Sequence, residues 1–542
     1  MVDVATEPQP QAPEQPARTR PPAWRGVLSG GVAAAFGLGG AELVAALLAT
    51  DATPLVSIGS AFVDVVPAWL KEFATSTFGT ADKAVLAAGM IVVLAVGFGV
   101  IGVLATRRRA VSLLALGLAA VGAACAASRP SFAVADLFPS LVAGVTATLA
   151  LRWIVGKAAP QPAAIGRPLP GAYDRRNFLM ALGLTAAGAA AGGLLARVGG
   201  RASKAVEQAR AALRIPPAPA KLQAYEAQAA LPADPADVSA VKGFANPWRS
   251  PNAGFYRIDT ALVVPAVDPG DWRLRIGGMV DRPLEFDLAQ LMARQVDHAW
   301  VTLCCVSNPV GGDLAGNAFW TGTRIAAILE ECGVQEGADA VLQTSDDGWT
   351  CATPLEALTD DRNALLAYGM NGDPLPREHG FPLRMVVPGL YGYVSATKWL
   401  VELEVARFDQ VSAYWTERGW SEKGPIKLQS RIDTPAGGAE EGDVRITGTA
   451  WLQHTGVSKV QVRVDEGEWH DAELGGQPTK DSWRLWSWLW PGATQGDHTL
   501  RCRAVDALGR TQTDALADVV PDGATGWHTV ECFVVAKGKI ND

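Results

Sequence analysis

The chain has 542 residues, enough for two or three domains, and 49% of them are hydrophobic. That share is high for a wholly water-soluble protein and indicates a membrane part joined to a soluble part. The formal net charge of −8 excludes a general electrostatic attraction to nucleic acid, so we expect no nucleic-acid partner.

The cysteines and histidines limit the cofactors. The chain has 7 cysteines, and no two of them form a CxxC pair. This spacing argues against a zinc ribbon, a four-cysteine iron–sulfur site, a c-type haem attachment and a disulfide framework. The 6 histidines all lie outside the apolar runs described below, so the sequence offers no bis-histidine haem site within a membrane. We therefore expect neither haem nor an iron–sulfur cluster.

Residues 1–23 are rich in Pro, Gln and Ala and are predicted to form a disordered cytoplasmic tail. Residues 24–198 are predicted to form a transmembrane domain of five helices, since a helix needs roughly 20 apolar residues to cross a bilayer. Between the first two runs, Pro54–Phe73 carries acidic and basic residues and is predicted to be an interfacial piece. The predicted spans are Gly26–Ala49, Ala84–Ala105, Ala110–Ala127, Leu137–Val155 and Phe178–Leu195.

Basic residues near the ends of the spans set the predicted orientation. They cluster before span one, between spans two and three, and between spans four and five. This pattern predicts a multi-pass protein of the cytoplasmic membrane whose N-terminus is cytoplasmic. Everything after about residue 200 is then extracytoplasmic. Glu42, inside span one, is a candidate functional acid because an acid buried in a membrane is costly, although it could also face a water-filled groove.

The start of span five carries a more specific pattern. Asp174–Met180 reads DRRNFLM and resembles a twin-arginine export signal, which directs folded proteins across a membrane. The alternative is ordinary positive charge flanking a membrane helix. No small-residue cleavage site follows, so we expect the helix to remain as an anchor.

Residues 199–250 contain the Ala-rich, charged helical stretch Arg201–Leu213 and several prolines, and they are predicted to be a linker. Residues 251–426 alternate short apolar runs with Gly, Pro and Asp turns, as is typical of an α+β domain. Its predicted strands include Trp272–Ile276, Trp300–Leu303, Ala340–Gln343 and Leu383–Val387, and its predicted helices are Leu288–Ala293 and Arg324–Cys332.

Residues 427–542 have an all-β pattern with turn signals between evenly spaced strands, which predicts an immunoglobulin-like β-sandwich. The predicted strands are 444–452, 457–465, 483–490, 498–506 and 527–535.

The stretch Thr302–Gly322, TLCCVSNPVGGDLAGNAFWTG, joins two adjacent cysteines to a glycine-rich turn. A thiolate in such a place is a candidate ligand for a soft transition metal. The alternative is a buried strand ending in a turn, with Cys304 and Cys305 acting as small hydrophobic residues. The stretch alone leaves both interpretations open.

Five segments of the soluble part form one pattern: FYRIDT (255–260), LCCVSN (303–308), NAFWTG (317–322), LLAYGMNGDPLPREHGFPLRMVVPG (365–389) and TKWL (397–400). In sequence and in order they resemble the sulfite oxidase family of molybdopterin enzymes, and the resemblance covers about residues 250–536. It implies a molybdenum–molybdopterin cofactor without a nucleotide, oxygen-atom transfer, and a C-terminal domain of the dimerisation type, hence a homodimer.

The family pattern Cys, two small residues, Asn falls on Cys305–Asn308. The resemblance therefore implies that Cys305 is the molybdenum ligand, with Cys304 as the alternative register. Asp259 stands where sulfite oxidases carry a histidine, which leaves that contact open. The further cofactor-binding residues implied by the resemblance are Phe255, Tyr256, Arg257, Asp347, His379, Arg384, Ala396, Thr397 and Lys398.

The implied substrate pocket consists of Arg257, Trp320 and Trp420 beside the cysteine. Val310 stands where sulfite oxidases have an arginine, and Trp420 stands where they have a tyrosine. A second family arginine falls near Val519, without a replacement. Because a small dianion needs charge-assisted donors, these losses favour a larger or neutral substrate such as a sulfoxide or an N-oxide.

Three alternatives remain open at this stage. The chain could oxidise sulfite, it could reduce sulfoxides in the manner of a methionine sulfoxide reductase, or it could be a membrane scaffold without a cofactor. As an enzyme it would need a separate electron-transfer partner or a quinone, since the sequence provides no second redox centre.

Overall fold

The computed structural model describes residues 21–48, 50, 52–66, 70, 77, 82–129, 132–158, 175–199, 201–231 and 247–539. The chain divides into two compact units, the first up to residue 200 without 129–131, and the second from residue 201 onward together with 129–131. Most of the predicted tail, residues 232–246 of the predicted linker, and Asp174 of the twin-arginine-like motif lie outside the described residues.

The first unit is entirely helical. Within the described residues, five helical segments are long and apolar enough to cross a membrane, and they coincide with the five predicted spans: Ala23–Leu48, Lys83–Ala105, Arg109–Ala127, Val134–Lys157 and Arg176–Leu195. The α-helices are α1 (Ala23–Leu48), α2 (Pro54–Val65), α3 (Asp82–Ala105), α4 (Leu114–Ala127), α5 (Leu137–Ala158) and α6 (Arg175–Gly199). Short 3-10 turns at Arg109–Leu113 and Val134–Asp136 precede α4 and α5.

Helix α1 contacts α3, α5 and α6 through glycines that allow close backbone approach. A Cβ atom on Gly30 would lie 1.8 Å from the carbonyl oxygen of Phe98 in α3, and one on Gly39 would lie 2.6 Å from that of Ala189 in α6. On Gly37 it would lie 2.7 Å from a carbonyl oxygen of α5. Helix α1 therefore packs against three different helices, each through a glycine.

The second unit opens with a segment that we call the strap, residues 201–231. It contains helices α7 (Arg201–Ala212), α8 (Ala220–Gln223) and α9 (Tyr225–Gln228). The strap packs on the domain that follows: Val206 is only 2% exposed within a core cluster that also includes Phe255 and Trp320, and Trp300 Nε1 donates to Leu222 O at 2.9 Å. This part of the predicted linker is therefore packed protein, because its apolar side chains find a partner surface.

The α+β domain is built on two sheets. One has the strand order β2-β1-β10-β5-β6, with β1 parallel to β10, and the other has the order β3-β4-β7-β8, with β9 also paired to β7. Its strands are β1 (Leu274–Gly278), β2 (Leu284–Phe286), β3 (Asp297–Cys304), β4 (Ala315–Arg324), β5 (Ala340–Ser345), β6 (Thr350–Pro354), β7 (Leu365–Met370), β8 (Asp373–Pro374), β9 (Arg384–Val386) and β10 (Leu400–Ala406). Its helices are α10 (Leu288–Met292), α11 (Ile325–Cys332) and α12 (Leu355–Thr359).

The C-terminal domain has a four-stranded sheet, β11-β13-β17-β16, and a five-stranded sheet, β12-β19-β18-β14-β15. Ile446 and Trp486 from the first sheet and Val460 and Leu500 from the second share one core. All five predicted strands are present, whereas an immunoglobulin-like topology remains a prediction. The strands are β11 (Gln429–Thr434), β12 (Gly438–Glu440), β13 (Gly442–Trp451), β14 (Val457–Val464), β15 (His470–Asp471), β16 (Glu473–Leu474), β17 (Arg484–Ala493), β18 (Gly496–Asp506) and β19 (His528–Val535).

Candidate functional site

Strand β3 ends in a closed turn that holds Cys305 in place. Cys305 N donates to Leu314 O at 2.9 Å, and Asn308 N donates to Cys305 O at 3.1 Å. The Asn308 side chain closes the same turn, since its Oδ1 accepts from Leu314 N at 2.8 Å. The CxxN pattern therefore has a geometric reason: the asparagine ties the two ends of the loop that carries the cysteine.

The two cysteines have different surroundings, as expected for successive residues at the end of a strand. Cys304 lies near Arg431 and Trp451 of the C-terminal domain, and burial together with the neighbouring thiol raises its pKa well above the usual range. Burial also raises the pKa of Cys305, but hydrogen bonds from Ser307 and the charge of Lys398 oppose that shift. A cation and a donor act on each thiol, and the two differ in which groups these are: Lys398 and Ser307 act on Cys305, whereas Arg431 and Trp451 of the C-terminal domain act on Cys304.

Basic side chains line the predicted cofactor site, and we call Arg257, His379, Arg384 and Lys398 together the cradle. Lys398 Nζ lies 3.0 Å from Asp259 Oδ2, and Arg257 Nε lies 2.9 Å from the same oxygen. Burial lowers the pKa of Lys398 to about 8, although Asp259 opposes this shift. The Asp259 carboxylate therefore neutralises part of the cradle.

His379 leaves a polar atom unused. Its Nε2 lies 3.0 Å from Asn252 O, so Nε2 carries the hydrogen and Nδ1 is an acceptor. The side chain is only 4% exposed, and Nδ1 has no hydrogen-bond partner among the described residues. Burial, followed by the charges of Lys398 and Arg384, lowers the pKa of His379 to about 4. A buried unpaired acceptor beside cations fits a site that binds a polar group.

Aromatic rings pack against two residues of the cradle, Arg384 and His379. The Arg384 guanidinium lies 4.9 Å from the ring centroid of Trp320, and Nη1 of Arg384 donates to His379 O at 3.1 Å. Phe255 contacts Tyr256, Trp320 and His379 at centroid distances of 5.2, 5.9 and 5.5 Å. Trp320 is 0% exposed and its Nε1 donates to Val301 O, so it supports the pocket as a buried residue.

The remaining predicted residues lie on loops. Thr397 is buried, its hydroxyl contacts Cys351 Sγ at 3.2 Å, and its carbonyl accepts from Met385 N, which fixes the backbone beside Lys398. Ala396 N donates to Gly392 O at 3.0 Å in the same loop. Asp347 Oδ1 accepts from Trp349 N at 3.2 Å and closes the turn between β5 and β6.

Trp420 belongs to a second aromatic group. Its ring lies 5.8 Å from that of Tyr393 and 6.1 Å from that of Trp415. Trp420 is buried, and its Nε1 has no hydrogen-bond partner among the described residues. This position therefore offers an unused indole N–H donor.

Arg431 is a site neighbour that the sequence analysis missed. It lies on β11 of the C-terminal domain, is buried, and its Nη1 donates to Gly312 O at 2.5 Å. Its Nε donates to Asp433 Oδ1 at 2.6 Å, so its charge is paired. A Cβ atom on Gly311 would lie 2.0 Å from the ring of His528, which shows how closely β19 covers the same turn. The sequence feature that could have identified this residue is an arginine within the strand QSRIDT, Gln429–Thr434, most of which is buried.

A second group has the composition of a metal site. Ligand atoms of Asp360, Asp361 and His454 lie within 4.8 Å of one another. Among the described residues, this is the one cluster of three acidic, histidine or cysteine side chains close enough to hold a metal ion. Arg362 already binds Asp360 through Nε and Nη2, and Lys480 lies 3.9 Å from Asp361. The acidic charge is therefore compensated by cationic side chains.

Comparison with known proteins places this site in context. Residues 261–415 match the family described as oxidoreductase molybdopterin binding domain. The chain is 30% identical to the sulfite oxidase of Gallus gallus over 320 residues, which cover 49% of this chain and 69% of that protein. It is 31% identical to the mitochondrial sulfite oxidase of Mus musculus over 331 residues, 51% of this chain and 60% of that protein.

A bacterial relative matches a shorter part. The uncharacterized oxidoreductase YuiH of Bacillus subtilis (strain 168) is 34% identical over 157 residues, which cover 29% of this chain and 76% of that protein. The chain spans 56 to 60% of the length of the mitochondrial sulfite oxidases of Mus musculus, Drosophila melanogaster and Macaca fascicularis. Within this chain, the matched family region contains Cys305 and the cradle residues His379, Arg384 and Lys398.

Proposed function

The chain belongs to the sulfite oxidase family of molybdopterin-dependent oxidoreductases, and on that premise we propose that it is a membrane-anchored, extracytoplasmic enzyme that transfers an oxygen atom to or from a substrate other than free sulfite. The observation that carries the proposal is the cradle, where His379 Nδ1 is unpaired, Arg384 is buried, and Lys398, with a side chain 11% exposed, acts through its charge on Cys305. A scaffold without a cofactor has no use for such an arrangement, because unpaired buried polar groups and charges are costly.

The residues present fit a pterin cofactor that ends in a phosphate. Cys305 would hold the molybdenum, and Arg257, Arg384 and Lys398 would bind the phosphate, since arginine and lysine suit it in charge and geometry. When bound, the group supplies two-electron redox chemistry and oxygen-atom transfer. Phe255 and Trp320 keep water from the buried side of the cradle, because both are fully or almost fully buried.

Substrate recognition in the proposal relies on few charges. Arg257 is 36% exposed, so one cation of the cradle remains accessible at its edge. Trp420 contributes an unused N–H donor, and Val310 is half-buried with no charge to offer. A neutral acceptor with one polar oxygen, such as a sulfoxide or an N-oxide, needs one or two hydrogen-bond donors and an otherwise apolar surface.

Sulfite oxidation is the second candidate, and Arg431 is the observation that favours it. This arginine reaches the turn that follows Cys305, in a region where two family arginines are missing from the sequence. Its Nε and Nη1 are, however, bound to Asp433 and Gly312. Because a paired guanidinium attracts an anion weakly, the first candidate remains the better supported.

Location and partners are part of the same proposal. Five apolar helices are compatible with a multi-pass protein of the cytoplasmic membrane, and the clustering of basic residues supports an extracytoplasmic catalytic domain. All 6 histidines lie at or after residue 298, outside the apolar helices, so we expect electrons to be exchanged with a separate protein or a quinone. The C-terminal domain is the proposed site of homodimer contact.

The test uses full-length protein purified in detergent from a host that makes molybdopterin. We expect molybdenum in the preparation, reduction of sulfoxides or N-oxides with reduced viologen dye, and weak sulfite oxidation. A micromolar KM for sulfite would overturn the substrate assignment in favour of the second candidate. Protein that lacks both molybdenum and pterin would instead support the scaffold.

A further inference from the structure

We propose that Arg214 of the strap binds the terminal phosphate of the cofactor and that strap residues 210–215 retain the cofactor in the site. The inference rests on the proposed function. It assigns a binding role to a segment that precedes the matched family region, which begins at residue 261.

The cavity next to the cradle supports this assignment. It has a volume of about 920 Å³, which is within the range of ligand pockets. The strap lines it through Arg210, Leu213 and Arg214, and Phe255, Arg257 and His379 line it as well. The strap and two residues of the cradle, Arg257 and His379, therefore share one cavity.

The strap is held firmly in this position. Val206 and Leu213 pack into the core cluster that contains Phe255. A Cβ atom on Gly369 would lie 2.8 Å from Ile215 Cγ2, so β7 and the strap touch directly. A wall fixed at both ends of residues 206–215 can place a side chain with the accuracy that binding requires.

The charges in the cavity single out Arg214. Arg210 is paired with Glu207 through its Nε at 2.9 Å, and the carboxylates of Asp373 and Glu378, which also line the cavity, act on Arg210 as well. In the part of the chain that the structure describes, Arg214 forms no ion pair, and its Nη1 only donates to Ala211 O at 3.2 Å. Arg214 is thus the uncompensated cation of the strap wall.

A second observation points to a ligand in the same cavity. His379, which lines it, is almost fully buried and has an unpaired Nδ1. A phosphate that carries one proton would donate to this acceptor and accept from Arg214 and Arg257. The three groups together satisfy a phosphate better than the cradle alone, because Asp259 already occupies Lys398 and part of Arg257.

The experiment measures cofactor retention in the full-length holoenzyme in detergent. Molybdenum and pterin per chain are followed during prolonged dialysis for wild type, Arg214→Gln and Arg214→Lys. The matched control is Arg249→Gln, an exposed arginine of the same unit that lies 3.3 Å from Glu226 and outside the cavity. Losing one charge-assisted hydrogen bond should speed the loss of cofactor about tenfold for Arg214→Gln.

We expect Arg214→Lys to lose cofactor at a rate near that of wild type and Arg249→Gln to be unchanged. A thermal midpoint for each cofactor-free variant separates loss of binding from loss of fold. Retention in Arg214→Gln equal to wild type would overturn the inference and leave the proposed function intact. A wild-type preparation without molybdenum and pterin would overturn both.

Discussion

A single carboxylate oxygen, Asp259 Oδ2, serves two cations of the cradle, Lys398 at 3.0 Å and Arg257 at 2.9 Å. Asp259 is 5% exposed, and removing one partner of a buried ion pair leaves the other charge uncompensated. This carboxylate therefore stabilises the cradle before any phosphate is present and competes with the phosphate afterwards.

Asp259→Asn should accordingly destabilise the cofactor-free protein by about 3 kcal/mol, because Lys398 loses its counter-charge. The loaded protein should be affected much less, since the phosphate replaces the lost carboxylate. The thermal unfolding midpoints of the loaded and the cofactor-free forms are measured for each variant. The gap between these two midpoints should be wider in Asp259→Asn than in wild type. Asp409→Asn, in the exposed Arg407–Asp409 pair, is the control, and an unchanged difference in Asp259→Asn would contradict this account.

Serine variants of the adjacent Cys304 and Cys305 test which of the two is the molybdenum ligand. Cys305→Ser should abolish molybdenum binding, because a hydroxyl does not replace a soft thiolate. Cys304→Ser should bind molybdenum as wild type does, since its side chain lies near Arg431 and Trp451 of the C-terminal domain. Metal analysis of the purified variants decides the matter, and a loss of molybdenum in Cys304→Ser with retention in Cys305→Ser would reverse the assignment.

At the scale of elements, the contact between α1 and α3 depends on Gly30. A Cβ atom there would lie 1.8 Å from a backbone oxygen of Phe98, which cannot move aside as a side chain can. Gly30→Leu should therefore separate the two helices and unfold the first unit, with loss of monodisperse protein in size-exclusion chromatography. Gly31→Leu is the matched control, because a Cβ atom on Gly31 meets nothing within 4 Å. Equal behaviour of the two variants would show that α1 and α3 do not pack in this way.

The junction between β3 and the C-terminal domain contains a titratable carboxyl group. Asp481 O accepts from Thr302 N, and its Oδ1 accepts from His454 N at 2.9 Å. Burial raises the pKa of Asp481 from 3.8 to about 6, while Lys480 and Arg362 oppose the shift and Asp361 adds to it. The folded state thus holds this proton more tightly than the unfolded state does.

A carboxyl group whose pKa is higher in the folded than in the unfolded state stabilises the fold below its unfolded pKa. For Asp481 this stabilisation is lost as the pH rises through about 6. Asp481→Asn keeps the acceptor oxygen and removes the buried charge, so it should stabilise the protein at pH 8 by up to about 2 kcal/mol. At pH 4 the variant and wild type should unfold at similar temperatures. Thermal unfolding at both pH values tests this, with Asp361→Asn, an exposed neighbour, as the control; a gain at pH 4 equal to that at pH 8 would refute it.

For the molecule as a whole, local patterns predicted most elements correctly and long-range contacts were missed. Apolar runs and alternating strands depend on neighbouring residues, so the five spans and strands such as 483–490 were visible in the sequence. Val206 sits in a charged, Ala-rich helix, and nothing near it in the chain shows that β4 and β7 supply its partners. Arg431 was missed for the same reason, since it meets Gly312 across more than a hundred residues.

The glycine-lined sides of α1 also bear on how the first unit is made. A chain is synthesised from its N-terminus, so α1 leaves the ribosome before α3, α5 and α6, the helices that close on Gly30, Gly37 and Gly39. When α3, α5 and α6 are made, the α1 surface on which each of them packs has therefore already been synthesised.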